Sequence, residues 1–210
     1  MSFDDLRTEL AATAARLIAE EGCEYAQAKR RAVHEILGDN DRRTILPDNS
    51  EVERELRRYL KLFGGDAHRA RLAALRRLAA DTMEELDEFE PHLIGAVLNG
   101  TATEHSDIHL QLFVDSAKDV ELRLMNLGIE FDVDEGDSDE RPAALERLSF
   151  VRQMDSQALV GVTLHVYARD AIRVAARHRR EIGADEEMHP TEAAGRANRA
   201  ALIRLIDETA

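Results

Sequence analysis

The chain has 210 residues, 44% hydrophobic and 33% charged, with few aromatics and no tryptophan, which fits one large globular domain or one domain with a helical extension. Its formal net charge of −14 is uneven, with 11 basic against 13 acidic residues in 1–62 and 17 against 29 in 63–210; that field repels phosphate backbones and argues against nucleic acid, though not against a nucleotide neutralised by a divalent metal. No apolar run reaches the ~18 residues of a membrane span, the acidic start "MSFDDLRTEL" is unlike a secretory signal, and the lone Cys23 excludes an internal disulfide framework and fits a reducing cytoplasm.

The first 90 residues carry helical periodicity. "FDDLRTELAATAARLIAEEG" puts Leu6, Leu10, Ala14, Leu17 and Ile18 on one face and stops at Gly22. "EYAQAKRRAVHEILG" repeats the pattern with Tyr25, Ala28, Val33 and Ile36, and "GDNDRRTILPDN" reads as a loop. "SEVERELRRYLKLFG" predicts a helix capped by Ser50, with Val52, Leu56, Leu60 and Phe63 on its buried stripe. Residues 67–88 predict a long helix with Leu72, Leu75, Leu78, Met83 and Leu86 inward.

Beyond residue 90 the period changes. "HLIGAVLNG" and "DIHLQLFVD" read as two strands around a turn of small residues, with Ile108, Leu110 and Leu112 on one face of the second and Asp107, His109, Gln111 and Phe113 on the other. "SAKDVELRLMNLG" is a helix from Ser116 to Gly128, "IEFDV" a short strand and "DEGDSDERPA" an acidic excursion with no packing capacity. "LSFVRQ" and "ALVGVTLHVYA" read as an antiparallel pair joined through "MDSQ". "RDAIRVAARHRREIGADEE" starts helical, and a C-terminal helix from Pro190 carries Leu202, Ile203 and Ile206. The expected class is α+β, a small mixed sheet with flanking helices (66–210) after a helical region (1–65).

The chemistry concentrates in "GAVLNGTATEHSDIHL", residues 95–110. Glycines let backbone amides approach phosphate oxygens, and acids one apart on a strand share a face and can share a divalent ion. This stretch resembles the nucleotidyltransferase superfamily, which includes DNA polymerase β-like enzymes, poly(A) polymerases and minimal bacterial nucleotidyltransferases. Gly95 falls at the first glycine of that pattern, Gly100-Thr101-Ala102 at its second step and Ser106-Asp107-Ile108 at its acidic strand. The resemblance spans about residues 67–168.

It implies a nucleoside triphosphate held by Gly95, Ala96, Gly100, Thr101 and Ser106, with Asp107 as first ligand of magnesium or manganese. The departures are as informative. Ala96 stands where the family has serine, His109 where it has the second acid, and Thr163 or His165 near the third. Losing two of three carboxylates predicts weak or lost nucleotidyl transfer, because imidazole is a poor ligand for magnesium. If His165 reaches the same pocket, Asp107, His109 and His165 form a two-His, one-carboxylate set better suited to zinc, manganese or iron.

Three functions stay open. The chain is a nucleotide-binding protein with a degenerate catalytic pair, Asp107 and His109; or an active enzyme using unusual Asp/His ligation on an unknown acceptor; or a helical interaction protein that binds a protein partner. Homo-oligomerisation also stays open. The basic "AKRRA" cluster at 28–32 and "RHRR" at 177–180 read as solvated helix surface, and His105 as an exposed loop residue.

Overall fold

The computed structural model describes residues 3–38, 46–135, 143–154, 158–175 and 188–209. Helices and a six-stranded mixed sheet make it α+β, with a helical N-terminal region, as the change of period predicts. The chain divides into two compact units, Met1–Ala70 with Thr103–His105, and Arg71–Ala102 with Ser106–Ala210. The boundary expected after residue 65 lies at the start of a helix, and the observed division falls within that helix.

The first unit holds α1 (Phe3–Glu21), α2 (Tyr25–Leu37) and α3 (Asn49–Phe63). Leu10, Leu17, Val52 and Leu56 form its core with Ala14, Ala28 and Ala32, and the alanines let helix backbones approach closely. The cap of α3 is Asp48, not Ser50: its side chain accepts the Glu51 N–H at 2.9 Å while Glu51 accepts the Asp48 N–H at 2.8 Å. A carboxylate serves here because it also meets the positive end of the helix dipole. Phe63, expected inside, is 71% exposed and lies against Tyr59 instead. Cys23 is half-buried and free, with its Sγ accepting a bond from Arg31 at 3.1 Å.

The sheet lies in the second unit. After α4 (Gly65–Glu85) come β1 (His92–Ile94), α5 (Gly95–Asn99), β2 (Ile108–Val114), α6 (Ala117–Asn126), β3 (Asp132–Glu135), β4 (Glu146–Gln153) and β5 (Leu159–Ala168). Then follow α7 (Ile172–Ala175), α8 (Pro190–Ala193), β6 (Ala197–Asn198) and α9 (Arg199–Thr209). Strand order is β3-β4-β5-β2-β1-β6, with β2 and β5 parallel and every other pair antiparallel. Ile108, Leu110, Leu112, Leu148, Leu164 and Val166 share one core with Leu75 and Met83 of α4, Leu124 of α6 and Leu202 of α9.

Two sequence expectations change. "HLIGAVLNG" is strand only to Ile94; Gly95, at φ 73°, turns the chain into the short helix α5. Its last carbonyls find a donor in Arg76, which is 3% exposed and reaches Val97 O at 3.1 Å and Leu98 O at 2.9 Å. Satisfied carbonyls and the buried Val97 and Leu98 favour helix over an extended run. The C-terminal helix is likewise broken, with α8, the two-residue edge strand β6 and then α9, whose Leu202 and Leu205 are buried while Ile203 is exposed. The antiparallel β4–β5 pair stands as read. Residues 39–45 of the first loop, most of the acidic excursion (136–142), 155–157 of "MDSQ" and "RHRR" lie outside the described residues.

Candidate functional site

Sheet register decides what the motif can meet. Residues paired across strands share a face. His109 pairs with Ile94 and with Thr163, and His165 pairs with Gln111 and with Arg147. One face of the sheet therefore presents Arg147 and Ser149 from β4, Thr163 and His165 from β5, and His109 and Gln111 from β2, all half-buried. The other face is the aliphatic core. Toward the ends of β2 and β5, Phe113 and Tyr167 stack on the polar side and are covered with Ala144 and Ala171.

Three of the expected site residues converge. His109 Nδ1 and His165 Nε2 are 3.2 Å apart, a hydrogen bond in which one ring donates and the other accepts. A Cβ placed on Gly95 would lie 3.8 Å from His109 Cδ2, so the first glycine of the motif faces this pair. Asp107 sits one residue before β2 and accepts the Gly161 N–H at 3.2 Å. A Cβ at 161 would lie 2.5 Å from Asp107 Oδ1, so any other residue there would push the exposed carboxylate off this contact. Burial lowers the pKa of His109, opposed by the Asp107 carboxylate and reinforced by Arg147. Burial, with His109 and Arg147 adding to it, pushes His165 down to about 4.

The second step of the motif is elsewhere. Gly100 caps α5 at φ 82°, and a Cβ there would meet Glu192 Oε1 at 3.4 Å and Arg76 Nη2 at 3.8 Å. Thr101 is buried and spends its hydroxyl and N–H on Asn99 Oδ1, at 2.7 and 3.1 Å. Ala96 packs on the core, and its carbonyl accepts the Thr101 N–H at 3.0 Å. Ser106 is half-buried. His105 belongs to the first unit, where its ring lies against Gly22. Gly95 thus joins the histidine pair, while Gly100 and Thr101 terminate a helix.

Sequence reasoning missed Gly161 and Arg147. A glycine inside a strand signals close backbone approach, and that cue was present in "LVGVT". Nothing marks Arg147, since an alternating strand has many solvent positions. Three buried atoms on this face, Arg147 Nε, His165 Nδ1 and Gln111 Oε1, have no hydrogen-bond partner among the described residues.

The residues do not fit a two-magnesium centre. Among the described residues no group of three or more His, Cys, Asp and Glu side chains could hold a metal, so the expected trio of Asp107, His109 and His165 is not assembled as ligands. Metal-bound histidine usually donates its second ring nitrogen to a partner, and His165 Nδ1 has none. A separate cleft of about 520 Å³ lies at the far end of β2, lined by Val114, Asp115, Asp119, Arg123 and Arg169 among others. Among the described residues no helix is long and apolar enough to cross a membrane. The chain matches no family model, no curated protein and no solved structure.

Proposed function

We propose that the chain is a protein of nucleotidyltransferase fold that binds a nucleoside triphosphate at the polar sheet face and transfers nucleotidyl groups weakly or not at all. The observation that carries this reading is the β1–α5–β2 unit. It sets Gly95 and Asp107 beside His109, with Thr163 opposite His109 on the parallel neighbour β5 and His165 hydrogen-bonded to His109, both in the neighbourhood where the resemblance expects a third acid. Nucleotidyl transfer depends on carboxylates that hold two hard cations against the triphosphate. Here one carboxylate remains, and it is tied to Gly161. Binding therefore outlasts chemistry.

Thermal denaturation of the full chain with ATP, GTP, CTP and UTP, each in magnesium or manganese, tests the binding. A site with a Kd of ~10 μM gives about 2.7 kcal/mol at a hundredfold excess, a rise of several degrees in Tm. No shift with any nucleotide overturns the reading in favour of an interaction protein. Nucleotidyl transfer is measured separately by mass-detected nucleotidylation. Robust turnover that disappears in Asp107→Ala would show that catalysis survives.

A further inference from the structure

The polar sheet face carries Arg147 and three imidazoles, His92, His109 and His165, with His109 where the resemblance expects the second acid, and its chemistry differs accordingly. We infer that this face takes the phosphate oxygens of its ligand directly, through Arg147 and the His109–His165 pair, without a bridging divalent cation. The inference rests on the nucleotide-binding reading for its ligand class and goes beyond it in naming the contacts.

Arg147 lies opposite His165 in the β4–β5 register, and His165 hydrogen-bonds His109 at 3.2 Å, so the three form a row across β4, β5 and β2. All three are half-buried, and so reach solvent from a partly desolvated setting in which charge is felt strongly. Arginine is donor only, and among the described residues Arg147 Nε has no acceptor and His165 Nδ1 no partner. When His109 Nδ1 donates, the neutral His165 ring carries its proton on Nδ1, a second donor facing nothing. Two of the three unpartnered atoms on this face, Arg147 Nε and His165 Nδ1, are thus donors for which an oxyanion supplies acceptors, while Gln111 Oε1 is the one unpartnered acceptor. Contact with these buried atoms requires the Arg147 and His165 side chains to turn toward the ligand.

A cation fits less well. Arg147 is close enough to both rings to depress their proton affinity and repels a metal for the same reason. Asp107 is the carboxylate next to the row, and its Oδ1 already accepts from Gly161. Asp134 and Asp132 of β3, opposite Arg147 and Ser149 in the register, are exposed and bound the row on its outer side. With a net charge of −14 the chain as a whole repels anions, so binding of one reports a local site rather than a general field.

The test uses inorganic tripolyphosphate and ATP as probes, titrated calorimetrically into the full chain, once in excess EDTA and once in magnesium. The expected result is saturable binding of both in EDTA, weakened at least tenfold in Arg147→Gln and less in Arg147→Lys, with circular dichroism unchanged. His109→Gln gives a second variant should Arg147→Gln fail to fold, and weakening is expected there too. Binding that appears only with magnesium overturns the inference and leaves the nucleotide reading intact. Tripolyphosphate binding in EDTA with no binding of ATP or the other nucleotides supports the inference and overturns that reading. Affinity unchanged in both Arg147→Gln and His109→Gln, or no binding of either probe under any condition, also overturns the inference.

Discussion

The two faces of the sheet come from the same strands and differ in one respect. On one face, Leu110, Leu112, Leu148 and Leu164 are fully buried and interlock with α4, α6 and α9. On the other, His109, Gln111, Arg147 and His165 are half-buried, and three of them carry a buried atom without a partner among the described residues. A domain built only for stability closes both faces or wets one. An unsatisfied buried polar atom costs on the order of 1–3 kcal/mol, so the aliphatic face holds the fold while the polar face draws on its stability. That contrast marks the polar face as the place to look for function.

The contrast is most sharply broken from the aliphatic side. Leu110→Ala removes a fully buried side chain and is expected to lower unfolding free energy by about 3–5 kcal/mol in chemical denaturation. Next comes acid. The folded pKa of His165 is held down at about 4, chiefly by burial and then by His109 and Arg147, against an ordinary value of 6.5. Between those values the unfolded chain binds the proton and the folded one does not. Stability therefore falls as pH drops from about 6.5 to about 4, by about 3 kcal/mol, and is unaffected by this group above that window. Urea melts at pH 7.5 and 4.5 measure it, and in His165→Leu this part of the pH dependence disappears.

A smaller effect tests the tie between strands. Gly161→Ala sets a methyl group 2.5 Å from Asp107 Oδ1 and displaces that exposed carboxylate from the Gly161 N–H, for an expected loss of about 0.5–1 kcal/mol. In an Asp107→Ala background the same change is neutral or stabilising by about 0.5 kcal/mol, because alanine restricts the unfolded chain. The double-mutant cycle reads this coupling. The smallest effect is a near-cancellation: at pH 7.5, His165→Leu removes a ring carrying an unpaired buried nitrogen but leaves His109 Nδ1 without its partner, so stability is expected to stay within about 1 kcal/mol of the parent. Probe binding is expected to weaken in the same protein. A loss of stability beyond that range would mean that the pair is structural.

Much of the fold is legible in the sequence. Leu10, Leu56, Leu75 and Met83 are buried where helical periodicity puts them, and Ile108, Leu110 and Leu112 where strand alternation does. The failures are local. Asp48 displaced Ser50 as the α3 cap because the capping box with Glu51 satisfies two backbone groups at once. The segment 95–99 became helix because Arg76, 21 and 22 residues before the carbonyls it reaches, supplies their donors. β6 was missed because two residues carry no periodicity, and only pairing with β1 makes them a strand.

The candidate site divides along the same line. The amino-acid pattern alone determined which face of β2 would be polar and that Gly95, Asp107 and His109 lie close along the chain, because alternation and local spacing are properties of a single segment. It could not determine that His109 and His165 are hydrogen-bonded, that Asp107 closes on Gly161, or that Arg147 completes the row. The first two of those contacts join residues 56 and 54 positions apart in the chain. They depend on strand order and register, which arise only when β4, β5 and β2 pack onto the shared aliphatic core.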